Sequence, residues 1–305
     1  MLQSWDGGEF EDASEFGVPT SSRLSMQVVM VGYNFKWRDY AIRSTWQYLA
    51  DAPADEVRAQ INGAYEADNR QRFQALMTCL FDPAQRLNEN GVPIYGLFSG
   101  DGFVPPTFRG TSFSGSHNHY MTTGSVTLDS GDVDALVETV VEHGYGGDGG
   151  KVLIFVNPRE RKVISKFRVD SAASFDFIPS VSAPAYLTSK QVIGSAAPAN
   201  YGRVPIVGSY GDALVSESTL IPQGYVLVVA TDGPNSRRNV VGFREHPTPS
   251  NRGLIAVPGP VTAYPLQESF FVRGFGTGVR HRGAAAVMQI TTGTYAPPAQ
   301  YRRAA

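Results

Sequence analysis

Three features of this 305-residue sequence predict an α+β chain built from extended segments and a few marked helices. Its 32 glycines and 20 prolines make up about one residue in six, above the usual share, which excludes a coiled coil or a helical bundle. Its 17 Phe, 14 Tyr and 3 Trp supply core material that a disordered chain lacks. Its apolar runs, such as Val152–Val156 and Tyr225–Ala230, have strand length, while two other stretches repeat with the period of a helix.

Residues 1–50 read as an arm. They show no period, carry Asp6, Glu9, Glu11, Asp12 and Glu15 without a Lys or Arg in the first fifteen positions, and are dotted with Trp5, Phe10 and Phe16. Such a segment builds no core alone and is expected to lie across something else, with a strand over Leu24–Val31. Residues 51–89 hold the longest helical pattern, Ala54–Leu80. Val57, Ile61, Ala64 and Tyr65, then Phe73, Leu76, Met77 and Leu80, follow one face, and Asp82-Pro83 closes it. Residues 90–124 turn extended, with Val92–Phe98, a Ser99-Gly-Asp-Gly102 turn and a second run broken by Pro105-Pro106. Those prolines point to an edge ribbon, and a two-stranded ribbon is marginal without a neighbour beneath it.

Residues 125–150 contain a second helix. Asp129 or Ser130 is placed to cap it, Val133, Leu136, Val137, Val140 and Val141 form its stripe, and Gly144 follows its end. Residues 151–252 begin with the buried strand Lys151–Val156, ending at Asn157-Pro158, and continue as short strands at Lys162–Val169, Val204–Val207, Tyr225–Ala230 and Val240–Phe243. Residues 253–296 hold the apolar Phe270-Phe271-Val272, a glycine joint at Gly274, Gly276 and Gly278, and a closing strand Ala284–Thr292. Residues 297–305 form a tail opening on Pro297-Pro298.

The formal net charge of −2 argues against a constitutive nucleic-acid grip, which needs a basic excess. Cys79 is the single cysteine, so neither an intrachain disulfide nor a cysteine-rich metal site is available. No apolar run approaches the roughly 18 residues of a membrane span, and the reading is a soluble protein of a reducing cytoplasm without membrane contact. Five lysines stand against 21 arginines. Arginine is favoured over lysine at buried interfaces, and a GC-rich genome produces the same bias.

The best metal candidate is Ser116-His-Asn-His-Tyr120, since residues two apart on a strand share a face. No third ligand follows from spacing: His143, His246 and His281 are scattered and HExxH is absent. The pair is therefore expected to be a polar face of the ribbon, with no metal. Gly146–Gly150 follows a helix and precedes a strand, the reverse of a phosphate-binding loop. GxSxG is missing, and Cys79 reads as a small buried hydrophobe. Asp129, Asp132, Asp134, Glu138 and Glu142 read as the solvated face of the second helix. No catalytic residue, cofactor or metal is expected. Arg273, Arg280, His281 and Arg282 form a basic cluster suited equally to phosphate or to ion pairs between subunits.

The order of these parts resembles the tailed-bacteriophage major capsid protein of the Hong Kong 97 type. The arm 1–50, the ribbon Asn90–Thr123, the helix Asp129–His143, the strand Lys151–Val156 with Asn157-Pro158, and the segment Glu268–Tyr295 carry the resemblance, over roughly residues 85–296. It implies an N-terminal arm, extended loop, spine helix, peripheral domain and central domain, with Ala54–Leu80 as an elaboration of the arm. It further implies a non-enzymatic subunit of an icosahedral phage head, assembled in the host cytoplasm as pentamers and hexamers. The implied partners are copies of itself, portal and scaffolding proteins, a decoration protein and packaged double-stranded DNA. Arg109, Arg273, Arg280 and Arg282 are the expected inter-subunit contacts. Some members cross-link a loop Lys to a neighbour's Asn. No Lys lies between Lys36 and Lys151 here, so no such link is expected. Alternatives are an encapsulin-like compartment shell and a His-x-His metal-dependent hydrolase.

Overall fold

The computed structural model describes residues 29–147, 149–183, 196–259 and 265–302. Most of the arm 1–50, the acidic run at its start and the end of the tail lie outside the described residues. In chain order the elements are β1 (Lys36–Thr45), α1 (Trp46–Asp51), α2 (Ala54–Phe81), β2 (Arg86–Leu87), β3 (Pro93–Ile94), β4 (Tyr120–Thr122) and α3 (Ser130–Val141). Then come β5 (Lys151–Val156), α4 (Pro158–Ile164), β6 (Phe177–Pro179), β7 (Asn200–Tyr201), β8 (Val204–Pro205), β9 (Gly208–Tyr210) and β10 (Ala213–Glu217). The last are β11 (Tyr225–Thr231), β12 (Val241–Glu245), β13 (Ile255–Pro258), β14 (Leu266–Val279) and β15 (Ala285–Gln289).

Two sheets organise the molecule. A seven-stranded sheet runs β4-β15-β11-β5-β10-β9-β6, with β5 and β11 as buried apolar strands near its centre. The other sheet is four-stranded and built on β14, paired with β1 along one side and with β13 and β12 along the other. α2, 28 residues and about 42 Å long at 1.5 Å per residue, lies on one face of the β14 sheet. α3 packs on β15 and β11 of the seven-stranded sheet. One continuous core joins both sheets. At the end of α2, Phe81 stacks on Tyr301 and meets the ring edge of Tyr225.

Local chemistry accounts for the helix starts. Asp129 accepts the Asp132 N–H while Asp132 accepts the Asp129 N–H, a complete capping box for α3. Asn157 accepts the Arg159 N–H, and Pro158 sits in the first turn of α4. This start corrects the expected strand Lys162–Val169, whose first residues belong to the helix. The glycine joint is also corrected. Gly274, Gly276 and Gly278 lie inside the 14-residue β14 because residues 32–35 cross the sheet at van der Waals range above them. A Cβ at Gly276 would sit 1.2 Å from the Asn34 carbonyl oxygen. The expected strand at Leu24–Val31 lies mostly outside the described residues, and the first strand observed is β1.

The ribbon expected over Asn90–Thr123 is not a ribbon. Its regular pairing is confined to β3, β4 and the isolated bridges Ser99–Asn118 and Phe108–Thr111. Pro93, Pro105 and Pro106 withhold donors from any ladder, and the segment instead wraps buried polar side chains. The long extended element is β14 with its partners. The helix running along it is α2, whereas the helix expected as the spine, Asp129–His143, lies on the other sheet.

Candidate functional site

Two of the expected contact arginines are engaged within the chain. Arg282 is 1% exposed, and its guanidinium donates to Asp101 at 2.7 Å and to the carbonyls of Leu97 and Gly96 at 3.1 and 3.2 Å. Tyr95, Phe98 and Phe103 offer their ring faces 4.8, 4.9 and 5.6 Å from its central carbon. Arg273 reaches Asp68 at 2.8 Å and Glu245 at 3.4 Å, and Arg72 adds a second contact to the buried Asp68 at 3.1 Å. Both guanidiniums thus have partners within the chain, as a buried charge requires. Arg109 is exposed, on the Phe108–Thr111 turn with φ of 45°. Arg280 is half-buried, donating to the Ser236 carbonyl at 3.3 Å.

The outer face of the β14 sheet carries an apolar patch, bordered on the same face by Asp39, Arg43 and Glu268. Residues opposite one another in an antiparallel pair share a face, so Trp37, Phe270, Val272, Ile255 and Val257 line the face away from α2. Trp37 is 48% and Val257 42% exposed. The α2 side is distinct: Phe271 meets Tyr65, and Arg273 meets Asp68.

The loop between β3 and β4 ends on a cluster that spacing alone did not reveal. His117 and His119 lie just before the start of β4, and His143 lies just past the end of α3. The three Nε2 atoms form a triangle with edges of 2.9 Å (His117–His143), 3.1 Å (His117–His119) and 3.1 Å (His119–His143). His119 Nδ1 is 2.7 Å from the Ala285 carbonyl. Since a carbonyl only accepts, Nδ1 carries the proton and Nε2 the lone pair. Phe113 stacks on His143 at 4.1 Å, Phe98 closes another side, and Glu142 Oε1 lies 3.4 Å from His117 Nε2. Burial lowers the pKa of all three imidazoles, and burial with His117 pushes His143 down to about 3. His117 and His119 share a face as their spacing suggested. His143, read as scattered, is the third member.

No family model and no curated protein matches the chain. A solved structure from Mycobacterium phage Patience is similar over 98% of this chain and 82% of its own, with 35% identity and a TM-score of 0.78. The mature capsid of bacteriophage PhiM1 matches over 94% and 80% at 12% identity, TM-score 0.52. The holo-SrpI encapsulin of Synechococcus elongatus PCC 7942 matches over 86% and 76% at 14% identity, TM-score 0.50. The two-sheet architecture with its long β14 is therefore that of the shell-forming α+β proteins of the Hong Kong 97 type. Within that class, the near-complete match at 35% identity settles the family. The chain belongs to the tailed-bacteriophage major capsid proteins, as a subunit of the icosahedral shell of the virion.

Proposed function

We propose that this subunit assembles as pentamers and hexamers around double-stranded DNA, and that the apolar patch on the outer face of the β14 sheet is a surface by which one copy packs on the next. The exposure of Trp37 and Val257 beside Phe270, Val272 and Ile255 carries this reading. An apolar sheet face left open on a soluble chain is stabilised by covering it. Obligate interfaces bury about 2,000–5,000 Å², and apolar area contributes about 25 cal/mol per Å². In this reading the β14 sheet with β1 and α2 is the peripheral part, and the seven-stranded sheet with α3 and α4 is the central part. Arg109 and Arg280 remain the arginines proposed to reach a neighbour.

Val257→Asp tests the surface. The variant is expected to stay folded, with stability changed by no more than about 0.5 kcal/mol, as for surface substitutions generally, while shells fail to form. Shells in wild-type yield would contradict the assignment.

The subunit acts as structure rather than as an enzyme. Its further proposed partners are a portal, a scaffold and a decoration protein, with assembly in the host cytoplasm and DNA held by non-specific contact, consistent with a net charge of −2. Lys36 and Lys151 open β1 and β5, and no lysine lies between them. Mature particles are expected to run as single subunits on denaturing gels, without a covalent ladder. The similarity to an encapsulin favours a second reading, a compartment around protein cargo. Nuclease-protected DNA in purified particles supports the phage head, and a co-purifying cargo protein supports the compartment.

A further inference from the structure

We propose that His117, His119 and His143 form a structural site for a divalent transition-metal ion of the zinc class, bound through their Nε2 atoms, which fastens the loop between β3 and β4 to the end of α3.

Geometry carries the assignment. Zinc–nitrogen bonds are about 2.0–2.1 Å. For edges of 2.9–3.1 Å, an ion about 1 Å out of the plane of the three nitrogens lies at that distance from all of them. A tetrahedral site opens the edges to about 3.4 Å, a shift of a few tenths of an ångström.

Hydrogen bonding alone does not satisfy the triangle. His119 Nε2 has only a lone pair to offer, because its proton is on Nδ1 facing Ala285. If His117 and His143 both carry protons on Nε2, two N–H groups face each other across 2.9 Å. If either lacks it, one edge sets lone pair against lone pair. Every arrangement of protons leaves one edge unmatched, whereas a cation accepts all three lone pairs together. The contact from His119 Nδ1 to a backbone carbonyl is also the outer bond that orients a ligating imidazole.

The remaining surroundings fit a closed structural site. Phe98 and Phe113 wall the cluster, and the Glu142 carboxylate beside His117 is the nearest candidate for the fourth position. Imidazole donors suit zinc, copper, iron or nickel rather than calcium or magnesium. The fold supplies a reason for such a clamp. From Ile94 to Tyr120 the chain runs without a strand or helix, and long irregular loops need an anchor. The proposed ion ties its far end to a helix on the neighbouring layer.

The test is elemental analysis of the purified chain from zinc-supplemented cells, with cobalt substitution as a spectroscopic probe. About one zinc per chain is expected, as is a cobalt form with the visible d–d absorption of a four-coordinate site. His117→Ala, at the more exposed corner, is expected to lose the metal, and Cys79→Ala is expected to keep it. A chelator is expected to lower the melting temperature of the wild type and leave that of His117→Ala unchanged. Should His117→Ala fail to fold, the wild-type cobalt spectrum and its persistence in Cys79→Ala decide the matter. A wild-type chain that retains neither ion after incubation with excess zinc or cobalt and gel filtration would overturn the proposal. So would His117→Ala binding at unchanged stoichiometry.

Discussion

Arg282 shows how a residue read from sequence as a surface contact can be a core component. Its guanidinium fills a space roofed by Tyr95, Phe98 and Phe103 and is neutralised by Asp101. Sequence placed it in a basic cluster. The side chain that accounts for it, Asp101, lies 181 residues away in a segment mistaken for a ribbon. Arg282→Met is expected to destabilise the chain by about 3 kcal/mol, the lower end for breaking a buried pair because Asp101 retains some solvent. Arg282→Lys is not expected to rescue it, since an ammonium neither forks to two carbonyls and a carboxylate nor stacks on rings. Urea midpoints of the soluble subunit check both. His143 was missed for a related reason: 24 residues and a whole helix separate it from His119. The available signal was its place just beyond the capped, amphipathic helix that follows the His-x-His segment.

At the scale of elements, legibility followed regularity. α3 was readable because apolar period, cap and terminator agree, and α2 because its long run of apolar residues is closed by Asp82-Pro83; both observed helices end within a few residues of the positions the sequence suggested. β1 was not readable. Lys36, Arg38, Asp39 and Arg43 interrupt its pattern, as is common for a strand at a sheet edge. The glycines of β14 read as a joint because the segment that passes over them lies more than 200 residues earlier in the chain. Gly276→Ala has no room against the Asn34 backbone and is expected to cost about 3 kcal/mol, near the upper end for overpacking. Faster proteolysis around residues 29–35 and a lower urea midpoint are the readouts. α2 is held to this sheet by Asp68, which receives Arg273 and Arg72. Arg273→Ala leaves Asp68 buried with only Arg72 beside it. The expected loss is about 3–5 kcal/mol in the unassembled subunit. An effect on assembly with unchanged subunit stability would restore the interface role for Arg273.

For the whole molecule, the fold class and the shell function were legible from the order of parts, while the assignment of those parts was not. The resemblance rested on an arm, an extended segment, a long helix, a central strand and an arginine-bearing closing strand. In the structure the longest strand is β14, paired with β1, and the longest helix is α2; β1 and α2 precede the segment read as extended, and β14 follows it. Tertiary pairing across the length of the chain decides which segment is extended, and no local pattern encodes it. The outcome is a subunit whose β14 sheet has α2 on one face and, on the other, residues 32–35 over one end and an exposed apolar patch at Trp37 and Val257. That asymmetry is what a shell uses, because each copy buries on a neighbour what it leaves exposed alone. The most direct test of the account is negative-stain microscopy with light scattering on the chain expressed by itself, beside Val257→Asp. Wild type is expected to form rings or closed shells of megadalton mass and the variant to stay small. Val257→Asp forming the same megadalton particles as the wild type would contradict it.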